Sequence, residues 1–194
     1  MDRADLAVLL ILGAFLAFVL WAVVAYNKLV RLRNRADALW ADIDVQLKRR
    51  HDLVGNLVEV VKGYATHERT TFDEVTEARS QAASAETPED RTRAENALTG
   101  ALGRLMATAE AYPELKAEER FQGLHEELVR LEDTIAMARQ AYNLTVQAYN
   151  NTVQTVPTSV VAWLMSFAPR EFLSAPSSET DVPAVRLGLG SAVS

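Results

Sequence analysis

An uninterrupted apolar run near the N-terminus constrains this chain more than any other feature of its sequence. Residues 6–25 read LAVLLILGAFLAFVLWAVVA and contain no charged, amide or hydroxyl side chain. At about 1.5 Å per residue, a helix over this run is about 30 Å long, which matches the hydrocarbon thickness of a bilayer. The run therefore predicts a single transmembrane helix, with residues 1–25 as the membrane anchor.

A cleaved secretory signal peptide is the alternative interpretation of the same run. Such peptides have a basic N-terminal region and an apolar core of about 7–15 residues. Here the residues before the run include two acids and one base, and the apolar core is longer. An uncleaved anchor is favoured, although the small residues Val23 and Ala25 leave cleavage open.

Basic residues follow the apolar run directly. They are Lys28, Arg31, Arg33 and Arg35. Because Lys and Arg collect on the cytoplasmic side of a span, the N-terminus is expected outside and the rest of the chain in the cytoplasm. The four side chains are also candidate contacts for anionic lipid.

Helical periodicity dominates the rest of the chain. Apolar residues at steps of three and four predict helices at about 26–84, 88–112, 114–156 and 158–168. A break near Gly55 and Gly63 is left open, and Tyr112-Pro113 is either a turn or a kink. The short last helix either docks on the others, which is favoured, or lies on the membrane.

These patterns predict an all-α fold with a single N-terminal transmembrane helix followed by an antiparallel, up-and-down bundle of long helices. The bundle is expected to occupy residues 26–173 in the cytoplasm. Residues 174–194 are rich in Ser, Pro and Gly and show no period, so they are predicted to be a disordered tail.

Composition and motifs narrow the function. A net charge of −6, spread along the chain, argues against binding of nucleic acid. The chain has no cysteine, which removes disulfides and thiolate chemistry. His51, His67 and His125 lack the neighbours that a helical metal site needs, and they are expected to be solvated surface residues. The sequence predicts no catalytic residue, metal site, cofactor or small-molecule substrate.

Two Tyr–Asn pairs lie seven residues apart on the predicted third helix and therefore face the same way. Polar residues of the first helix are candidates to lie opposite them. Buried polar groups of this kind fix the register of packed helices rather than add stability. We therefore predict a polar register cluster, favoured over a ligand site. It consists of Arg50, Asp52, Asn56, Tyr142, Asn143, Tyr149 and Asn150.

Several phrases together resemble the LemA family of bacterial membrane proteins. They are YNKLV at 26–30, DVQLKRRHDLV at 44–54, VKGYA at 61–65, EAYPELKA at 110–117, ARQAYN at 138–143 and YN at 149–150. The resemblance runs from the apolar run to about Phe172, and the tail after Ser174 falls outside it. It implies a single-span protein of the bacterial inner membrane, with the N-terminus outside and a cytoplasmic helical bundle. It brings no catalytic residues.

The favoured function is a non-enzymatic scaffold or adaptor that acts through protein partners or self-assembly. Members of the family have been connected with organelle-like membrane formation and with the surroundings of membrane proteases. A membrane-shaping or lipid-binding protein is the alternative, in which the basic flank, Trp163 and Phe167 face lipid. An enzyme with a carboxylate site between helices is less favoured.

Overall fold

The fold is given by a computed structural model, which describes residues 3–65 and 67–173. Over these residues the chain forms six helices and no strand, so the all-α prediction is confirmed. The helices are α1 (Arg3–Lys62), α2 (Arg69–Ser84), α3 (Pro88–Glu110), α4 (Pro113–Lys116), α5 (Glu119–Gln154) and α6 (Thr158–Leu164). The predicted disordered tail, 174–194, lies outside the described residues.

α1 is a single unbroken helix of 60 residues, which makes it about 90 Å long. Its N-terminal part is apolar enough to cross a membrane and is exposed on all sides as far as Leu20. From Ala25 onward the same helix has a buried stripe that includes Leu29, Ala36 and Ile43. The long apolar segment and the first helix of the bundle are therefore one continuous element.

The prediction of one helix over 26–84 is wrong, because the chain breaks inside that range. α1 ends at Lys62, and α2 begins at Arg69 after a turn. Gly63 stands at the break, where its N–H donates to the Val60 carbonyl at 3.2 Å and tightens the last turn. Glycine has a low helix propensity, which favours the end of a helix at this position. Because the apolar stripe resumes in α2, the periodicity of the sequence does not reveal the break. The break that was left open near Gly63 is the one observed.

α1 and α5 run antiparallel and form the longest pair of the structure. The rings of Trp40 and Tyr142 lie 5.4 Å apart, and farther along α1 the Arg50 side chain meets Glu132. Residue numbers thus rise on α1 as they fall on α5. α5 covers α1 over most of its length beyond Ala25.

α2 and α3 complete an up-and-down four-helix bundle around the distal half of α1. α3 runs parallel to α1, because Arg91 pairs with Asp44 and, farther along both helices, Glu95 pairs with Arg50. α5 returns in the opposite direction. Tyr112, which precedes α4 with an extended backbone, is therefore a turn and not a kink. The two long helices extend past α2 and α3 towards the apolar end of α1.

Beyond the bundle, α6 packs on the base of the α1–α5 pair, so docking on the other helices is the alternative observed. Val161 and Ala162 are buried in a small cluster with Ala25 and Leu29 of α1. α6 ends at Leu164, and the prediction that it reaches residue 168 is wrong. Ser166 adopts a φ of 56°, a left-handed conformation that is uncommon outside glycine. This turn sends the chain into residues 167–173, which we call the return segment.

Candidate functional site

Arg50 is buried where three helices of the bundle meet. Its Nη1 donates to Glu95 Oε2 on α3 at 2.5 Å, and its Nη2 donates to Thr99 Oγ1 at 2.8 Å. The same Nη2 lies 2.7 Å from Glu132 Oε1 on α5. Only 1% of Arg50 and 1% of Glu95 is exposed. Charges removed from water to this extent require partners of this kind.

Glu95 has a partner on each carboxylate oxygen, since His51 Nε2 lies 2.7 Å from Oε1. Burial raises the pKa of Glu95, but the hydrogen bond to His51 and the charge of Arg50 outweigh burial and hold the pKa below its usual range. Glu95 is therefore ionised at neutral pH. We call the group formed by Arg50, His51, Glu95, Thr99 and Glu132 the Arg50 cluster.

The hydrogen bonds and ion pairs within the Arg50 cluster determine what chemistry it can support. A cleft of about 280 Å³ lies beside His51 and is also lined by Lys48 and Arg91. The Thr99 hydroxyl accepts from Arg50 and donates to the Glu95 carbonyl of its own helix at 3.0 Å. The Arg50 guanidinium is paired with the carboxylates of Glu95 and Glu132. This arrangement suits a link between three helices better than proton transfer to a substrate.

The structure does not bring the seven residues of the predicted register cluster together. Asp52 and Asn56 are exposed on α1, and Arg50 turns towards α3 rather than towards the tyrosines. The expectation of a solvated surface position is also wrong for His51, whereas His67 and His125 are exposed. Arg50 belongs to one site, and the four Tyr and Asn residues of α5 belong to another.

Sequence reasoning missed Glu95, Thr99 and Glu132 as partners of Arg50. A signal for the first of them was present. Glu95 stands one turn before Leu98 on the apolar stripe of α3, as Arg50 stands on the stripe of α1. Opposite charges at seam positions of two helices indicate a buried pair. Glu132 gave no such signal, because it lies beside the buried stripe of α5 and its side chain is half exposed.

The second site lies on α5, where both Tyr–Asn pairs hold the backbone of the return segment. Asn150 Nδ2 donates to the Arg170 carbonyl at 2.8 Å, and the Arg170 N–H donates back to Asn150 Oδ1 at 2.8 Å. Asn143 exchanges the same two bonds with Leu173, at 2.8 and 2.9 Å. Each amide therefore satisfies both backbone groups of one residue. We call Tyr142, Asn143, Tyr149 and Asn150 the Tyr–Asn ladder.

The two tyrosines of the ladder also donate hydrogen bonds to backbone carbonyls of the return segment. The Tyr149 hydroxyl donates to the Ala168 carbonyl at 3.0 Å, and the Tyr142 hydroxyl donates to the Glu171 carbonyl at 3.3 Å. Burial raises the pKa of both tyrosines, so both hydroxyls remain protonated donors. Each Tyr–Asn pair thus binds an equivalent three-residue step of the return segment.

The heptad spacing of the Tyr–Asn ladder matches the length of the chain that it holds. Seven residues of α-helix rise about 10.5 Å, and three residues of extended chain span about 10 Å. The bonds reach backbone atoms only, so they fix the position of the return segment without selecting its side chains. Its side chains make further contacts: Phe167 and Leu173 are each buried in a hydrophobic cluster, and the Arg170 guanidinium pairs with Asp37 of α1 at 2.6 Å.

The four basic residues predicted to contact lipid are all exposed on α1 just past the apolar segment. Lys28, Arg31 and Arg35 share one face by their spacing of three and four. Arg33 lies on another face, where its guanidinium stands 5.3 Å from the centre of the Phe167 ring. The structure thus gives Arg33 a contact inside the protein and leaves the other three open to solvent or to lipid headgroups.

Comparison with known proteins identifies relatives of this chain. The sequence model of the LemA family matches residues 39–187, so the match reaches past Ser174, where the resemblance was expected to end. Magnetosome proteins MamQ 1 and MamQ 2 of Paramagnetospirillum magneticum are 26% identical to it over 193 residues, which cover 86% of this chain and 71% of theirs. Magnetosome protein MamQ of Magnetospirillum gryphiswaldense is 26% identical over 196 residues, covering 87% of this chain and 72% of its own. Because the family match spans well over half of the sequence, the chain belongs to the LemA family.

Proposed function

We propose that this chain is a membrane-anchored, non-enzymatic scaffold whose cytoplasmic helical bundle acts through protein partners or self-assembly. The continuity of α1 carries the proposal. Because one helix runs from Arg3 to Lys62, fixing its apolar end in a bilayer also fixes the position and direction of the bundle. Such an element is suited to holding partners at a set distance from the membrane.

Two further observations support a scaffold over an enzyme. The charges of the Arg50 cluster bind one another and join α1, α3 and α5, which stabilises the relative positions of three helices. The relatives are named for the magnetosome and not for a reaction. We place the chain in the bacterial inner membrane with the N-terminus outside, since Lys28 and its basic neighbours follow the span.

Single-cysteine labelling tests this topology, because the natural sequence has no cysteine. Ala4→Cys lies before the apolar run, and Ser80→Cys is exposed on α2. A membrane-impermeant maleimide added to intact spheroplasts is expected to label Ala4→Cys, and Ser80→Cys only after lysis. The reverse pattern, or removal of Ala4 from the mature protein by mass spectrometry, overturns the anchored topology.

The scaffold role is tested on the full chain extracted into native nanodiscs. Mass photometry is expected to give either several copies per particle or a companion protein in fixed stoichiometry. The Arg49→Met variant, which changes an exposed residue, is prepared and measured in the same way as a control and is expected to give the same stoichiometry. A lone monomer without any stoichiometric companion contradicts the scaffold.

A further inference from the structure

One face of α6 is apolar and exposed. Val161 and Ala162 are buried against α1, whereas the other large side chains of this segment point away from the protein. The exposed fractions are 54% for Val160, 81% for Trp163, 66% for Leu164 and 52% for Met165. We call these four residues the α6 apolar face, although Met165 directly follows the last residue of the helix. A cluster of this kind on a cytoplasmic domain indicates a surface that is covered in the cell.

The position of α6 indicates what covers this face. Its buried side contacts Ala25 and Leu29, and Trp21 and Ala22 are partly buried against the same cluster. α6 therefore lies at the level where the apolar segment of α1 ends. The α6 apolar face stands beside the exposed surface of that segment, which continues through Val24. Tryptophan is enriched at this level of membrane proteins.

We propose that the α6 apolar face inserts into the headgroup and acyl-chain boundary of the bilayer beside the transmembrane helix. This proposal rests on the proposed membrane anchoring of α1 and adds a second membrane contact to it. Two contacts side by side oppose tilting of α1 about its span. The bundle is then held in direction as well as in position.

The Tyr–Asn ladder gives α6 the support that this role requires. A helix of seven residues does not hold its shape alone. The ladder fixes the return segment on α5, and Phe167 at the start of that segment is held between the Tyr26 ring and Arg33 of α1. α6 is therefore held at both ends, by α5 before it and by the return segment after it. Its apolar face is thereby kept towards the membrane.

Quenching by brominated lipid tests the insertion in the full chain. The protein is placed in nanodiscs of phosphatidylethanolamine and phosphatidylglycerol brominated on the upper acyl chain. One variant keeps only Trp163, with Trp21→Phe and Trp40→Phe, and two matched variants keep only Trp21 or only Trp40. About half of the Trp163 emission is expected to be lost, as for Trp21. Trp40, about 22 Å farther along α1 than Ala25, is expected to keep its emission.

The three single-tryptophan variants separate the possible outcomes. If Trp21 is quenched and Trp163 behaves like Trp40, the α6 proposal fails and the anchor stands. If Trp21 is not quenched either, the proposed anchoring itself fails. Protection of Trp163 from both bromolipid and aqueous iodide shows a protein, such as a second copy, on this face and overturns the proposal.

A nitroxide label provides a second measurement that does not alter the tryptophans. Leu164→Cys carries the label on the α6 apolar face, and Ala136→Cys carries it on an exposed position of α5 about 22 Å farther from the apolar segment than Asn151. The label at residue 164 is expected to relax faster with oxygen than with a water-soluble nickel complex, and the label at residue 136 the reverse. Equal behaviour of the two labels overturns the insertion. Adding Asn143→Ala and Asn150→Ala is expected to shift the label at 164 towards the aqueous pattern.

Discussion

Arg50 and Glu95 form an ion pair that is almost completely buried, with 2.5 Å between Nη1 and Oε2, and they join α1 to α3 inside the bundle. Removing either charge is unfavourable, because the charge left behind stays buried and loses its main partner. The free energy of unfolding is therefore expected to depend on whether one or both of these residues are replaced.

Arg50→Met is expected to lower the free energy of unfolding by about 3–5 kcal/mol, since it leaves Glu95 buried without its main counter-charge. Adding Glu95→Met is expected to recover most of this loss, because the two apolar side chains can pack together. Urea unfolding of the full chain in detergent, followed by circular dichroism, measures both. As a control, Arg49→Met removes an exposed pair with Glu127 and is expected to cost about 0–1 kcal/mol. Equal losses for Arg50→Met and Arg49→Met contradict the prediction.

The lowered pKa of Glu95 makes stability depend on pH in a defined direction. The unfolded chain, where the pKa is about 4.3, takes up this proton more readily than the folded protein. The stabilisation by Glu95 is therefore complete above about pH 4.3 and is lost as the pH falls through the lower pKa of the folded state. The charged or titratable groups facing Glu95 are Arg50 and His51 on α1, Arg91 on α3 and, through Arg50, Glu132 on α5.

Glu95→Gln is the variant that tests this dependence. It is expected to be less stable than the natural chain at neutral pH and to lose less stability on acidification to about pH 3. Urea midpoints at a series of pH values give the two curves. Parallel curves contradict the assignment of this part of the acid dependence to Glu95.

The sequence was sufficient to predict an all-helical fold and the apolar segment, because both depend on local periodicity and composition. It did not locate the break at Gly63, where the apolar stripe of α1 resumes in α2 and the pattern looks continuous. It singled out the Tyr–Asn pairs as a repeated feature but proposed polar residues of α1 as their partners. The partner is the backbone of residues 168–173, and backbone groups carry no sequence signal.

The partners of Arg50 could likewise not be predicted from the sequence. Its place on the apolar stripe of α1 indicates burial, and the sequence also shows Glu95 on the stripe of α3. Which of the many carboxylates meets Arg50 depends on how α1, α3 and α5 are arranged around one another. That arrangement follows from long-range packing and not from spacing along the chain.

Asn150→Ala is expected to loosen the return segment, because the N–H and carbonyl of Arg170 both lose their partner, at a cost of about 1–3 kcal/mol. Trypsin cleavage after Arg170 reports the opening, and its rate is expected to rise about tenfold or more. Asn151→Ala changes the adjacent exposed asparagine and is expected to leave the rate unchanged. Asn143→Ala, which frees Leu173, is expected to act in the same direction as Asn150→Ala. A rate unaffected by both ladder variants contradicts the role of the ladder.

The two phenylalanines near the end of the described chain offer a matched comparison of the apolar contacts. Phe167 is 8% exposed and packs against Tyr26, whereas Phe172 is 51% exposed. Phe167→Ala is expected to cost about 3–5 kcal/mol, because it removes a buried ring between α6 and α1. Phe172→Ala is expected to stay within about 0.5 kcal/mol of the natural chain. Because Phe167 joins the return segment to α1, its loss is also expected to speed cleavage at Arg170, and equal effects of the two substitutions contradict this arrangement.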